Sequence, residues 1–151
     1  MPVAGSLARP ELIFSDLPAT DCRGVLQELA ERVAATGMVK DASLLYRALL
    51  EREQLGSTGI GGAVAIPHCK LKGLEEGVLA VGIARPPVDF DAPDGKPVAL
   101  FFLVLSPDHS PAEHLQTLAR ISRWVRSDGH VGTLLGLADR GAIYEFLKES
   151  I

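Results

Sequence analysis

The stretch Leu50-Glu51-Arg52-Glu53-Gln54-Leu55-Gly56-Ser57-Thr58-Gly59-Ile60-Gly61-Gly62-Ala63-Val64-Ala65-Ile66-Pro67-His68 changes character twice. It opens on residues that favour helix, then places four glycines between Gly56 and Gly62, which must form a turn or loop. Ala63-Val64-Ala65-Ile66 follows as a short buried strand, ended by Pro67, which cannot donate to a ladder. Downstream, Val78 to Ala84 and Val98 to Leu105 are continuous apolar runs of strand length, and Asp94-Gly95 marks a turn before the second. Runs that are apolar on both faces are expected at the centre of a sheet covered by helices on both sides.

Outside these strands the apolar spacing becomes helical. Val25, Leu26, Leu29, Ala30 and Val33 recur at three and four residues, so a helix is expected from Thr20 to about Ala35, capped by Thr20 or Asp21 and closed by Gly37. A second helix should run from an Asp41 cap to about Gln54, burying Leu44, Leu45, Ala48 and Leu49. Ser110-Pro111-Ala112-Glu113 reads as a capping box with Pro at the first helical position, starting a helix to about Arg126. A short helix over Val131 to Leu137 and a last one after an Asp139 cap, burying Ile143, Phe146 and Leu147, complete the expectation. The fold class is α/β, with a sheet between helical layers. Residues 1–10 read as a flexible N-terminal arm and residues 11–151 as a single domain.

Composition narrows the function. The chain has 151 residues, a net charge of −4 and scattered Lys and Arg, unlike the basic stripe of a nucleic-acid binder. Cys22 and Cys69 match no zinc or CxxC spacing and agree with a reducing compartment. The longest apolar run, Val98 to Leu105, is too short for a bilayer, which needs ~20 helical residues. The first ten residues lack a signal-peptide core. Neither nucleic-acid binding nor membrane insertion is expected, and the location is expected to be cytoplasmic.

Several residues could carry chemistry. In the glycine loop, Gly62 rather than Lys follows Gly61, and Val64 stands where a dinucleotide fingerprint needs glycine, so both nucleotide motifs are absent. The loop could be a plain turn or a set of N–H groups converging on an anion. His68 follows the strand and is fixed by Pro67; its neutral imidazole is an available nucleophile. Taken alone, a strand-end histidine is more often structural or merely exposed. His114 falls in the first turns of the Ser110-capped helix, where proximity to the N-terminus disfavours imidazolium. By itself it reads as a core-edge histidine with its hydrogen bonds made. Arg52, in the last turn of its helix, reads either as a surface arginine complementing the helix dipole or as a fork for phosphoryl oxygens. His109 and His130 fall in expected loops and read as exposed. Cys69 should fill a small buried space, because adjacent strand side chains point apart and it cannot pair with His68. No metal site and no cofactor are expected.

Read whole, the Arg52 to His68 stretch resembles the signature of type-2 enzyme IIA domains of the bacterial phosphotransferase system, the fructose, mannitol and nitrogen-regulatory family. That pattern is Arg, then Ser-Thr-Gly-Ile-Gly, and later Gly-hydrophobic-Ala-hydrophobic-Pro-His. The similarity extends to the apolar strand near residue 100 and to His114-Leu115-x-x-Leu118. Two positions depart from it: Ala63 replaces a glycine, and Cys69 replaces a small Gly or Ala. The resemblance implies a mixed β-sheet sandwiched between helices. It implies that His68 is the phosphorylated residue, that Arg52 and His114 stabilise the phosphoryl group, and that Ser57, Thr58, Gly59 and Gly61 form a phosphoryl-binding loop. The implied donor is an HPr-like phosphocarrier protein, and the implied recipient is a downstream IIB domain or a regulated transporter or kinase. Apolar residues near Ile60 and Ile66 would serve docking. A chain ending at Ile151 without a linker would act in trans, which suggests the nitrogen-regulatory branch. A sugar-specific enzyme IIA, a binding-only regulator controlled by phosphorylation, and a hydrolase with a transient phosphohistidine are the competing readings.

Overall fold

A computed structural model describes residues 8–151. After a 3-10 turn (Pro10–Leu12) come β1 (Ile13–Leu17), α1 (Cys22–Ala35), α2 (Ala42–Gln54), β2 (Gly59–Gly61), β3 (Val64–Ala65), β4 (His68–Leu71), β5 (Val78–Val88), β6 (Val98–Pro107), α3 (Pro111–Arg126), α4 (His130–Leu135) and α5 (Arg140–Ser150). The strands form one mixed sheet in the order β1-β5-β6-β3-β2, with β4 also paired to β6. β1 lies parallel to β5, β5 antiparallel to β6, and β3 and β4 parallel to β6.

The alternation along β6 sorts the two layers. Phe101, Leu103 and Leu105 pack with Leu26 and Leu29 of α1 and Leu49 of α2. Leu100, Phe102 and Val104 pack with Ile121 and Trp124 of α3 and Ile143 of α5. All of β6 is buried, as expected of a central strand between two helical faces. β5 runs beyond the expected Ala84, through exposed Arg85-Pro86-Pro87 to buried Val88. A register irregularity between Ile83 and Val88 carries the prolines before pairing resumes opposite Val98.

β1 is an element the sequence reading did not anticipate. Ser15 and Asp16 interrupt its apolar pattern, yet Phe14 and Leu17 pack in one layer and Ile13 in the other. Of the expected N-terminal arm, residues 1–7 lie outside the described residues. Ala8 is buried, and Arg9 bonds Glu76 at 3.0 Å.

The helix starts held where a carboxylate supplies the cap. Asp21 accepts from Gly24 N, Asp41 from Ser43 N and Leu44 N, and Asp139 from Ala142 N. The Ser110 expectation needs correction. Its side chain makes no capping bond, and the start of α3 rests on Pro111 and on the Ser110 carbonyl, which accepts from His114 N. Three expected core residues also sit farther out. Leu44 is 54% exposed, and Ala48 and Phe146 are half-buried, because each lies beside rather than on the line of its helix that meets the sheet.

Candidate functional site

His68 is placed by a break in one line of pairing. Val64 lies opposite Leu100 and His68 opposite Val104, so β3 and β4 keep the same register against β6 on either side of Ile66-Pro67. Pro67 has no N–H to give, but its carbonyl accepts from Val104 N at 3.0 Å. The break lets the Ile66 carbonyl turn to the His68 ring, 2.6 Å from Nδ1. A carbonyl can only accept, so Nδ1 carries the hydrogen and the neutral ring presents its lone pair at Nε2. Arg52 Nε–H donates to that nitrogen at 3.2 Å. Burial holds the His68 pKa below the ordinary imidazole value. The Arg52 charge adds to this, while the Ile66 hydrogen bond and Glu53 oppose it. The ring is a neutral base with its free nitrogen facing a guanidinium.

The neighbouring residues Arg52 and Glu53 at the end of α2 hold the glycine loop from two sides. Arg52 Nη1 donates to the Gly56 carbonyl at 2.9 Å. The Glu53 carboxylate accepts from Thr58 N at 2.7 Å and from Thr58 Oγ1 at 2.6 Å. Ser57 Oγ donates to the Phe90 carbonyl and accepts from Gly59 N at 3.0 Å. Gly59 and Gly61 form strand β2, so the expected loop is partly strand. The glycine at 59 has a steric reason, because a Cβ there would lie 3.0 Å from the Ala92 methyl. Thus the Ser57 and Thr58 hydroxyls and the N–H groups of Thr58 and Gly59 are engaged in building the loop. In this structure none of them is directed at the His68 ring.

His114 comes to the site from the other helical layer. It is 5% exposed, and its ring centroid lies 5.5 Å from that of His68, tilted by 54°. Its Nδ1 lies 2.6 Å from Ser106 Oγ. Burial, then the charges of His68 and Lys70, push its pKa down to about 4, so the ring is neutral at physiological pH. Arg52, on a helix of one layer, and His114, on a helix of the other, therefore meet at a histidine on a short strand flanking β6.

His68, Arg52 and His114 are brought together; the other candidates are not. His109 is exposed. His130 is a correction: it begins α4, half-buried, with its ring stacked on Trp124 at 5.0 Å and its Nδ1 on the Trp124 carbonyl. Cys69 packs against the α1–α2 layer, on the opposite side of the strand from His68, and burial pushes its thiol up to about 12. Ile66 is 4% exposed and cannot dock a partner, whereas Ile60, at 41%, remains open. Sequence reasoning missed Glu53, Lys70 and Ser106. Ser106 left one signal: it continues the row Leu100, Phe102, Val104 at period two, with a hydroxyl where the other three residues are apolar. Among the described residues no helix is long and apolar enough to cross a membrane.

The chain and its mixed sheet between helices have counterparts among known proteins. The family model for the phosphoenolpyruvate-dependent sugar phosphotransferase system, EIIA 2, matches residues 6–150. The chain belongs to that EIIA 2 family. A nitrogen regulatory protein of Bradyrhizobium diazoefficiens is 40% identical over 97% of this chain and 95% of its own length. The fructose-specific EIIA component of Haloferax volcanii is 31% identical over 93% and 92%. The crystal structure of nitrogen regulatory protein IIA-Ntr from Neisseria meningitidis superposes with a TM-score of 0.88 at 29% identity, covering 95% of this chain and 97% of that one.

Proposed function

We propose that the chain is a nitrogen-type regulatory enzyme IIA, a cytoplasmic carrier that takes a phosphoryl group onto His68 Nε2 from an HPr-like phosphocarrier protein. On this reading residues 11–151 act as one enzyme IIA domain. The observation that carries the proposal is the His68 ring, with Nδ1–H bonded to the Ile66 carbonyl and the Nε2 lone pair left as the one nucleophilic position. In the transfer, Nε2 forms a bond to phosphorus as the bond from phosphorus to the donor's imidazole breaks. The donor ring leaves with the electron pair. Phosphoryl transfer needs chiefly positioning and charge stabilisation. Arg52 would give up Nε2 and turn its fork to the phosphoryl oxygens, and His114 would meet them from the other layer.

The nitrogen branch is supported by the 40% identity to the Bradyrhizobium protein and the close superposition on the Neisseria one. The fructose-specific relative at 31% keeps a sugar-transport subunit, passing phosphate to a IIB domain, as the second reading. Exposed Leu55, Ile60 and Leu115 offer apolar surface near Arg52, the loop and His114 for the partners of either branch. Incubation with phosphoenolpyruvate, enzyme I and the donor should give one acid-labile phosphate, absent in His68→Ala. Label retained by that variant would overturn the assignment. Deletion of the gene should leave fructose and mannitol uptake normal while altering nitrogen or potassium responses; selective loss of uptake would favour the transport reading.

A further inference from the structure

We infer that Ser106 is a positioning residue: its hydroxyl donates to His114 Nδ1 and holds that ring as the tautomer with hydrogen on Nε2, facing the phosphoryl oxygens carried by His68. The inference rests on the carrier reading above.

It starts from the strand. Leu100, Phe102 and Val104 of β6 are at most 1% exposed and pack under α3, and Ser106 is the next residue on that side. At 5% exposure its hydroxyl needs a partner, and His114 Nδ1 at 2.6 Å is the one it has. The two ends are rigid. Ser106 pairs with Lys70 of β4 inside the sheet, and His114 lies in the first turn of α3, its N–H bonded to the Ser110 carbonyl. Among the described residues His114 Nε2 has no hydrogen-bond partner, and no partnerless side-chain nitrogen is buried, so Nε2 keeps some access to solvent on a ring whose centroid lies 5.5 Å from that of His68. A neutral imidazole has one N–H. If Nδ1 accepts from Ser106, the hydrogen must be on Nε2. The reverse direction would aim a lone pair at an incoming anion and repel it. The serine thereby decides whether His114 helps or hinders the phosphoryl group, although it touches none of the reacting atoms.

Nitrogen-15 spectra of the histidine-labelled protein, with and without phosphate on His68, test this directly. Wild type should show His114 with a protonated Nε2 and an unprotonated Nδ1. Ser106→Ala should mix or reverse the tautomers and slow transfer from the phosphocarrier by about ten- to hundredfold, by analogy with the loss of a partner that orients a metal-binding histidine. Ser106→Thr, which keeps the hydroxyl, should restore both. A wild-type His114 protonated at Nδ1 would overturn the inference without any variant. So would Ser106→Ala with an unchanged ring signature or with the wild-type rate. Failure of wild type to accept phosphate would instead strike the carrier reading, which the tautomer measurement does not share.

Discussion

With Arg52 Nε–H resting on His68 Nε2, the proposed phosphorylation would first have to break a hydrogen bond that the resting protein makes. Removing the arginine therefore has two opposite effects. It frees the nucleophile and, by deleting a nearby positive charge, raises the His68 pKa toward the ordinary value, although burial still holds it down. On the proposed reading it also removes a donor to the phosphoryl oxygens, and the loss of one preorganised partner of this kind commonly costs ~10²–10³ in rate. Arg52→Ala is expected to titrate His68 at higher pH by NMR while transferring phosphate far more slowly. An unchanged His68 titration would contradict the geometry, and an unchanged rate would contradict the role. At the neighbouring departure from the family pattern the backbone favours the glycine that Ala63 replaces. Ala63 adopts φ of +69°, a left-handed conformation that disfavours a Cβ. Ala63→Gly should stabilise the protein by about 1 kcal/mol, read as a higher urea midpoint at unchanged slope.

At the scale of elements, the approach of α1 to the sheet depends on Gly82 in β5. A Cβ at that position would lie 2.6 Å from Leu17 Cδ1 and 3.1 Å from Leu29 Cδ2, both in fully buried side chains. Either leucine could make way only by displacing the buried side chains packed around it. Gly82→Ala is expected to cost about 1–3 kcal/mol through overpacking, and chemical denaturation should show it. On the opposite face Phe102 fills the space under Trp124, their ring centroids 5.4 Å apart. Phe102→Ala should cost about 3–5 kcal/mol. A loss below 1 kcal/mol at either position would mean that its layer packs less tightly than these distances require.

For the whole molecule the two site histidines make stability depend on pH. His114 titrates near 4 when folded, whereas a free imidazole titrates at ~6.5. Between those values the unfolded chain binds a proton that the folded protein refuses. Stability is thus full above about pH 6.5 and falls as pH drops toward 4. His68, shifted in the same direction by its burial, adds to the fall below about pH 6.5. Urea midpoints measured from neutral pH down to about 4.5 should decline, and His114→Gln should make the decline shallower whatever its effect at neutral pH. Equal slopes in the two proteins would show that His114 is not the group responsible.

The sequence by itself determined the α/β class, the two central strands, the carboxylate caps at Asp41 and Asp139 and the Arg52 to His68 motif. Each depends on neighbours within a few residues: continuous apolar runs, a cap before a periodic helix, a proline ending a strand. Only the tertiary structure decided that β1 joins the sheet, because Ile13, Phe14 and Leu17 acquire their burial from helices and strands distant in the chain. The buried bond between Ser106 and His114 was hidden too, although eight residues separate the two, since a strand and a helix must pack before the hydroxyl meets the ring. The glycine loop shows the same division. Its glycines were legible as a bend, but whether its polar groups face a ligand or one another depends on Glu53 and on Phe90, thirty-three residues beyond Ser57. Local pattern reports what a segment can form; which partner satisfies a buried polar group is settled only when remote segments close around it.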